Sequence, residues 1–165
     1  MKSWKFLDNL FKIFFDKSVA DATLFLFLLH IKLKLIMSIF TKIISGEIPS
    51  YKIAENENYF AFLDINPNAK GHTLVVPKRE ENKLFDLSKE EYNGLMSFSY
   101  RVAKAIEKTI PCKRVGMSVI GLEVPHVHVH LIPLNAMADI QFQQKVKLSN
   151  EEFIQLADGI SKNFK

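Results

Sequence analysis

The sequence predicts an α+β domain built on a mostly antiparallel sheet, and three observations carry that expectation. Its elements run helix, hairpin, strand, helix, two strands, helix, which leaves too few helical crossovers for a parallel βαβ sheet. Strict alternation in His126-Val127-His128-Val129-His130-Leu131 marks a strand with one polar and one apolar face. Two helix-start signatures, Ser88-Lys89-Glu90-Glu91 and Ser149-Asn150-Glu151-Glu152, place the two main helices.

Ser38 to Ser45 carries apolar side chains at Ile39, Phe40, Ile43 and Ile44, a one-sided spacing for a short helix that Gly46 can end and Pro49 will not extend. Tyr51 to Glu55 and Tyr59 to Asp64 read as strands joined in a hairpin at Asn56-Glu57-Asn58. After the loop Asn66 to Gly71, His72-Thr73-Leu74-Val75-Val76-Pro77 is a β-branched run stopped by proline, the pattern of a buried strand. Leu87 and Tyr92 bracket the Ser88 cap as a hydrophobic staple; Leu95, Ser99, Val102, Ile106 and Ile110 give that helix its inward face before Pro111 ends it. Val115 to Ile120 and His126 to Ile132 are the last two strands, separated by Gly121 and Pro125. A closing helix over about 149–163 turns Phe153, Leu156, Ala157 and Ile160 inward. The sequence shows no internal repeat, glycine-rich phosphate loop or paired-cysteine motif.

A chain of 165 residues has room for one domain with a sizeable core. The single cysteine, Cys112, excludes an intramolecular disulfide and fits a reducing, cytoplasmic setting. The net charge of +4 suggests a polyanion partner until it is located. Residues 1–36 hold six lysines against three aspartates, leaving 16 basic and 15 acidic residues in 37–165, so no nucleic-acid partner is expected. Those first 36 residues form a leader that also holds six of the fourteen phenylalanines and no glycine or proline. Its longest apolar run, Ala22 to Leu29, falls short of the about 20 residues that span a bilayer, and no small-residue signal-peptide cleavage site follows it. Two readings remain: a basic amphipathic segment on a membrane surface, or upstream sequence ahead of a true start at Met37. The second is favoured, because A/T-rich stretches encode Phe, Lys, Ile and Leu by chance. Residues 37–165 are expected to be a single domain.

The alternating histidines are the strongest chemical signal. Side chains two residues apart on a strand share a face at a spacing of about 6.6 to 7 Å, so His126, His128 and His130 form a row with His128 in the middle. A neutral imidazole has one bare nitrogen and one N–H, and the partner of one nitrogen decides the state of the other. Such a row can supply a nucleophile, a proton donor and an orienting group together. It can also build a metal site, for which His72, Asp64 or Glu123 are candidate distant ligands. A closed zinc site wants four ligands, however, and Cys112 has no second cysteine.

The stretch Gly121-Leu122-Glu123-Val124-Pro125-His126-Val127-His128-Val129-His130-Leu131-Ile132 resembles the signature of the histidine triad family, in which three histidines alternate with apolar residues. Ile39 to Pro49, Ala61 to Pro67 and Gly71 to Lys78 resemble further family blocks in family order, so the resemblance covers about residues 38–134. It implies a HIT-like five-stranded sheet with two main helices, extended across a homodimer, and a hydrolase acting on nucleoside 5′-phosphate derivatives. His128 is then the nucleophile toward the α-phosphorus, and His130 contacts the phosphate or protonates the leaving group. His126 organises the row, His72 is a further active-site histidine, and Asp64 takes the ribose hydroxyls. Ile43, Phe62 and Ile65 line the base pocket. A purine nucleotide of AMP or GMP type is the implied substrate, and phosphoramidates are the implied conjugates. Dinucleoside polyphosphate hydrolysis, or nucleotide binding with little turnover, are the alternatives. By periodicity alone Ile43, Phe62 and Ile65 read as core, Asp64 as a turn cap and His72 as a loop-end histidine.

The chain departs from the family at informative places. Some bacterial members carry a Cys-x-x-Cys pair and a later histidine that hold zinc; here Ser38, Thr41 and Glu80 stand there, so no metal cofactor is expected. Leu122 replaces a glutamine, and the expected short loop Ile120-Gly121-Leu122 has no asparagine or serine. Phosphate contacts are left to backbone N–H groups, the histidines or Glu123, whose ionised carboxylate repels phosphate.

Overall fold

A computed structural model describes residues 37–165 and the isolated residue Leu28, so the expectations for the leader lie outside the described residues. Ser38–Lys165 forms one compact unit. Its elements are helix α1 (Ile39–Ile44), strands β1 (Lys52–Glu55), β2 (Tyr59–Leu63) and β3 (Thr73–Pro77), helix α2 (Lys89–Thr109), strands β4 (Arg114–Ser118) and β5 (Val129–Leu134), and helix α3 (Asn150–Asn163). The strands make one sheet in the order β1-β2-β3-β5-β4, and every neighbouring pair is antiparallel. Among the described residues no helix is long and apolar enough to cross a membrane.

Local chemistry sets these boundaries as the sequence predicts. Ser38 Oγ caps α1 by accepting the Thr41 N–H, and Gly46 turns the chain away at φ +78°, a left-handed conformation open to glycine. Asn56 Oδ1 accepts the N–H groups of Asn58 and Tyr59 and closes the β1–β2 hairpin. Ser88 with Glu91 and Ser149 with Glu152 form complete capping boxes at α2 and α3.

The sheet buries its two faces differently. One carries Ile53, Ala61, Leu63, Val75, Val127, Val129 and Leu131 against Leu95, Phe98, Val102 and Ile106 of α2 and Phe153, Ala157 and Ile160 of α3. The other carries Phe60, Phe62, Leu74 and Val76 under Phe40 of α1. Leu74 pairs directly with His130, which puts the histidine row on the α1 face.

Three boundaries correct the sequence reading. β5 begins at Val129, so His126 and His128 precede the ladder instead of lying in it. Their backbone is bonded elsewhere: His126 N–H donates to Val124 O at 2.9 Å and Val127 N–H to Glu81 O at 2.7 Å. The chain nevertheless stays alternating, with Val127 in the helix-side core and the histidines opposite. β5 also runs through Pro133, which pairs with Val115. The ladder to β3 ends at Leu131, so beyond it β5 has the free side that proline tolerates. β4 stops at Ser118, and the β4–β5 connection is the whole of 119–128, with Gly121 turning at φ +69°.

Candidate active site

A cavity of about 470 Å³ opens beside the histidine row. It is lined by Asp64 and Asn66 after β2, Ile120 to Glu123 of the β4–β5 connection, His128 and His130, and Gln141, Phe142 and Lys145 beyond β5. His72 and His126 are fully buried behind it.

The tautomers of all four histidines follow from what each nitrogen meets. Asn68 N–H donates to His72 Nδ1 at 3.1 Å, so neutral His72 carries its proton on Nε2. That Nε2–H donates to His130 Nδ1 at 3.0 Å, which leaves His130 with an Nε2–H on the ring that lines the cavity. His128 Nδ1 lies 2.7 Å from the His126 carbonyl. A carbonyl only accepts, so the proton is on Nδ1 and the lone pair of the neutral ring is on Nε2. His126 Nε2–H donates to the Pro77 carbonyl at 2.8 Å, and its bare Nδ1 accepts the Ser38 hydroxyl at 2.7 Å. Phe40 packs edge-on against the His128 ring, with centroids 5.0 Å apart, and Phe142 does the same to His130 at 5.0 Å.

Burial keeps His72, His126 and His130 neutral. It pulls His72 down to about 3, helped by the charge of Lys145 and by His128, and His130 to about 3, helped by His72 and His128. His126 is lowered as well, by burial first, against the raising effect of the Pro77 carbonyl and Glu80.

Two clusters test whether a metal belongs here. Asp64, His72 and His130 bring donor atoms within 4.8 Å of one another. His72 Nδ1 is taken by Asn68 N–H and its Nε2–H by His130, so the lone pairs a metal needs are already occupied. The second cluster is Ser38, Thr41 and Glu80 with His126, at the positions the family resemblance compares with a zinc set. Thr41 Oγ1 donates to Glu80 Oε2, Ser38 N–H donates to the same carboxylate oxygen at 3.2 Å, and Ser38 Oγ serves His126. Two hydroxyls, an exposed carboxylate and an imidazole whose lone pair already accepts a proton do not fit the thiolate and imidazole set of a closed zinc site. Hydrogen bonds join α1 to His126 at this place instead.

The sequence-predicted residues separate into groups. His128, His130, Asp64 and Glu123 line the cavity. His72 and His126 act one layer behind, through His130 and the His126 carbonyl. Phe62 is buried in the α1-side core with Ile43 packed against that core, and Ile65 is 74% exposed; none of these three lines the cavity. Sequence reasoning passed over Asn68, Gln141, Phe142 and Lys145, because the stretch between β5 and α3 has no periodicity or motif to mark it. It also passed over Ser118, which pairs with His130 and whose buried hydroxyl has no hydrogen-bond partner among the described residues.

Known proteins share this fold and family signature. The HIT domain family model matches residues 45–137. A Saccharomyces cerevisiae protein named adenosine 5′-monophosphoramidase is 44% identical over 96 residues, spanning 58% of this chain and 61% of its own length. A HIT-like protein of Borreliella burgdorferi is 34% identical over 134 residues, 76% of this chain and 96% of its own. The crystal structure of a HIT-like protein from Bartonella henselae, described as involved in cell-cycle regulation, superposes with a TM-score of 0.69 at 30% identity, covering 76% of this chain and 95% of that one. With the alternating histidines, the five-stranded antiparallel sheet and these matches in agreement, the chain belongs to the HIT domain family.

Proposed function

We propose that this protein hydrolyses nucleoside 5′-phosphoramidates or related nucleotidyl conjugates at the α-phosphorus, through a covalent nucleotidyl-His128 intermediate. The observation that carries this reading is the 2.7 Å bond from His128 Nδ1–H to the His126 carbonyl, which leaves the Nε2 lone pair on a ring that lines the cavity. Nε2 attacks phosphorus, the P–N bond breaks, and its electron pair goes to the leaving nitrogen, which takes up one proton. Water then adds to phosphorus, the P–Nε2 bond returns its pair to His128, and the water proton replaces the one consumed. A nucleoside monophosphate leaves, and one difficult displacement has become two easier ones.

His130 contacts the phosphoryl group through Nε2–H, and the leaving nitrogen takes its proton from water. Asp64 receives the two vicinal ribose hydroxyls; its Oδ1 already accepts the Asn66 N–H at 2.9 Å, which fixes the carboxylate. The name of the yeast relative supports an adenine nucleotide and an amine leaving group. Cys112 as the single cysteine supports a cytoplasmic enzyme.

The test is intact-mass spectrometry of protein quenched during reaction with adenosine 5′-phosphoramidate, beside His128→Ala. A transient gain of one adenylyl group in the wild type, absent from the variant, is expected. Nucleotide binding with neither adduct nor turnover would replace the enzyme by a binding protein.

We further propose a homodimer joined along β4, an edge strand of the sheet. Exposed Phe85, Met117, Ile120 and Leu122 line a second groove of about 620 Å³ at that edge, an apolar surface suited to a second copy. Light scattering should report a dimer for the wild type and a monomer for Met117→Lys; a monomeric wild type refutes this assembly.

A further inference from the structure

Burial keeps the His130 ring neutral, and the acidic side chains that line the cavity, Asp64 and Glu123, offer a phosphate no positive charge. Among the residues lining it, that charge is carried by Lys145. Lys145 lies beyond residue 137, where the family match ends.

Its position is built. After β5 the chain folds back, with Asp139 Oδ2 accepting the Asn135 and Ala136 N–H groups at 2.7 and 2.9 Å. Asn68 Nδ2 donates to Asp139 O at 3.1 Å, and Val146 N–H donates to Pro67 O at 2.8 Å, which ties the segment to the Pro67–Asn68 loop at both ends. Phe142, at φ +59°, accepts a backbone conformation that L side chains avoid, and its ring meets His130 and His72. Lys145 Nζ donates to Asn68 Oδ1 at 2.6 Å and sits 5.1 Å from the Phe142 ring centroid. The partner is a neutral amide, so the ammonium is oriented without being neutralised. Asn68 therefore serves the site three times: its N–H sets the His72 tautomer, its Nδ2 fastens the returning segment, and its Oδ1 aims Lys145.

We propose that Lys145, aimed by Asn68, binds the phosphoryl group of the nucleotide, a role that the β4–β5 connection with Leu122 and Glu123 cannot fill. This rests on the reading of the cavity as a nucleotide site. An ammonium facing a phosphate is a point-charge contact, and its effect is read as preference for a nucleotide over the bare nucleoside.

The test is titration calorimetry with AMP and with adenosine as probes, on the wild type, Lys145→Met and Lys145→Arg. Lys145→Met should weaken AMP about tenfold and leave adenosine within about twofold, and Lys145→Arg should recover most of the AMP affinity. The wild-type preference for AMP should also shrink as salt is raised. Equal loss of AMP and adenosine in Lys145→Met would make the residue a structural clamp, and unchanged AMP affinity would remove it from the site; either overturns the proposal. Binding is measured without turnover, so the two readings fail separately. A wild type that shows the AMP contrast but forms no adduct loses the hydrolase reading alone, and one that forms the adduct without the contrast loses Lys145 alone.

Discussion

Acid should unfold this domain earlier than carboxylate protonation alone would. His72 and His130 are almost fully buried, and each is pulled from the ordinary 6.5 to about 3. In the unfolded chain both rings take protons near pH 6.5, whereas the folded protein refuses them until about pH 3. Between those limits the unfolded state binds more protons, so stability is complete above about pH 6.5 and falls as the pH drops. One proton of difference costs about 1.4 kcal/mol per pH unit, so two rings cost about 2.7 kcal/mol per unit. Moving from pH 6 to pH 5 then removes about 2 to 3 kcal/mol from the roughly 5 to 15 kcal/mol that holds a domain together. Urea midpoints at a series of pH values measure the slope directly. In His72→Asn the amide oxygen stands in for Nδ1 and can accept the Asn68 N–H, so one titrating ring is removed and the slope should halve. A wild-type slope below one proton, or a slope unchanged in His72→Asn, refutes the reasoning.

Two substitutions probe the scaffold. Ser38→Ala removes both the α1 cap, worth about 0.5 to 2 kcal/mol, and the one proton offered to His126 Nδ1, which is then buried unpaired at about 1 to 3 kcal/mol. A combined loss of about 2 to 3 kcal/mol by urea unfolding is expected, and less than about 0.5 kcal/mol would mean that Ser38 does not hold His126. Gly94 lies inside α2, where helix propensity alone favours Ala by about 1 kcal/mol. A methyl group there would sit 2.2 Å from the Tyr59 hydroxyl, which donates to Glu91 O, so Gly94→Ala should lower the melting temperature; a rise would show that Tyr59 swings away freely.

What the sequence made legible was periodic or local. The capping boxes at Ser88 and Ser149, the hairpin at Asn56 and the inward face of α2 rest on contacts within a few residues, and all appear as read. The alternation at His126 to Leu131 also survives, because it depends on which face is buried and not on whether the ladder has begun. The start of β5 was hidden because it depends on Glu81 O, 46 residues away in sequence, taking the Val127 N–H. Lys145 was hidden for the same reason, since its partner Asn68 is 77 residues distant and neither belongs to a repeating pattern. Glu123 stood out beside the histidine row, whereas the cation that lines the same cavity lies in a segment with no period to mark it.

The order of the site comes from the backbone more than from the histidines themselves. A row of imidazoles is ambiguous, because each ring can hold its proton on either nitrogen and a wrong choice at one ring spreads to its neighbours. Here three fixed main-chain groups remove the ambiguity. The Asn68 N–H can only donate, so His72 and then His130 must point Nε2–H onward. The carbonyls of Pro77 and His126 can only accept, so His126 must leave Nδ1 for Ser38 and a neutral His128 must keep its lone pair on Nε2. Main-chain groups held by β3 and by the turn before β5 do not rotate as side-chain partners do, so under the proposed mechanism His128 would need no reorganisation before attack. The same logic explains why a hydroxyl pair can stand at Ser38 and Thr41 without a metal: His126 requires a single proton at Nδ1, and Ser38, fixed in place as the cap of α1, supplies it.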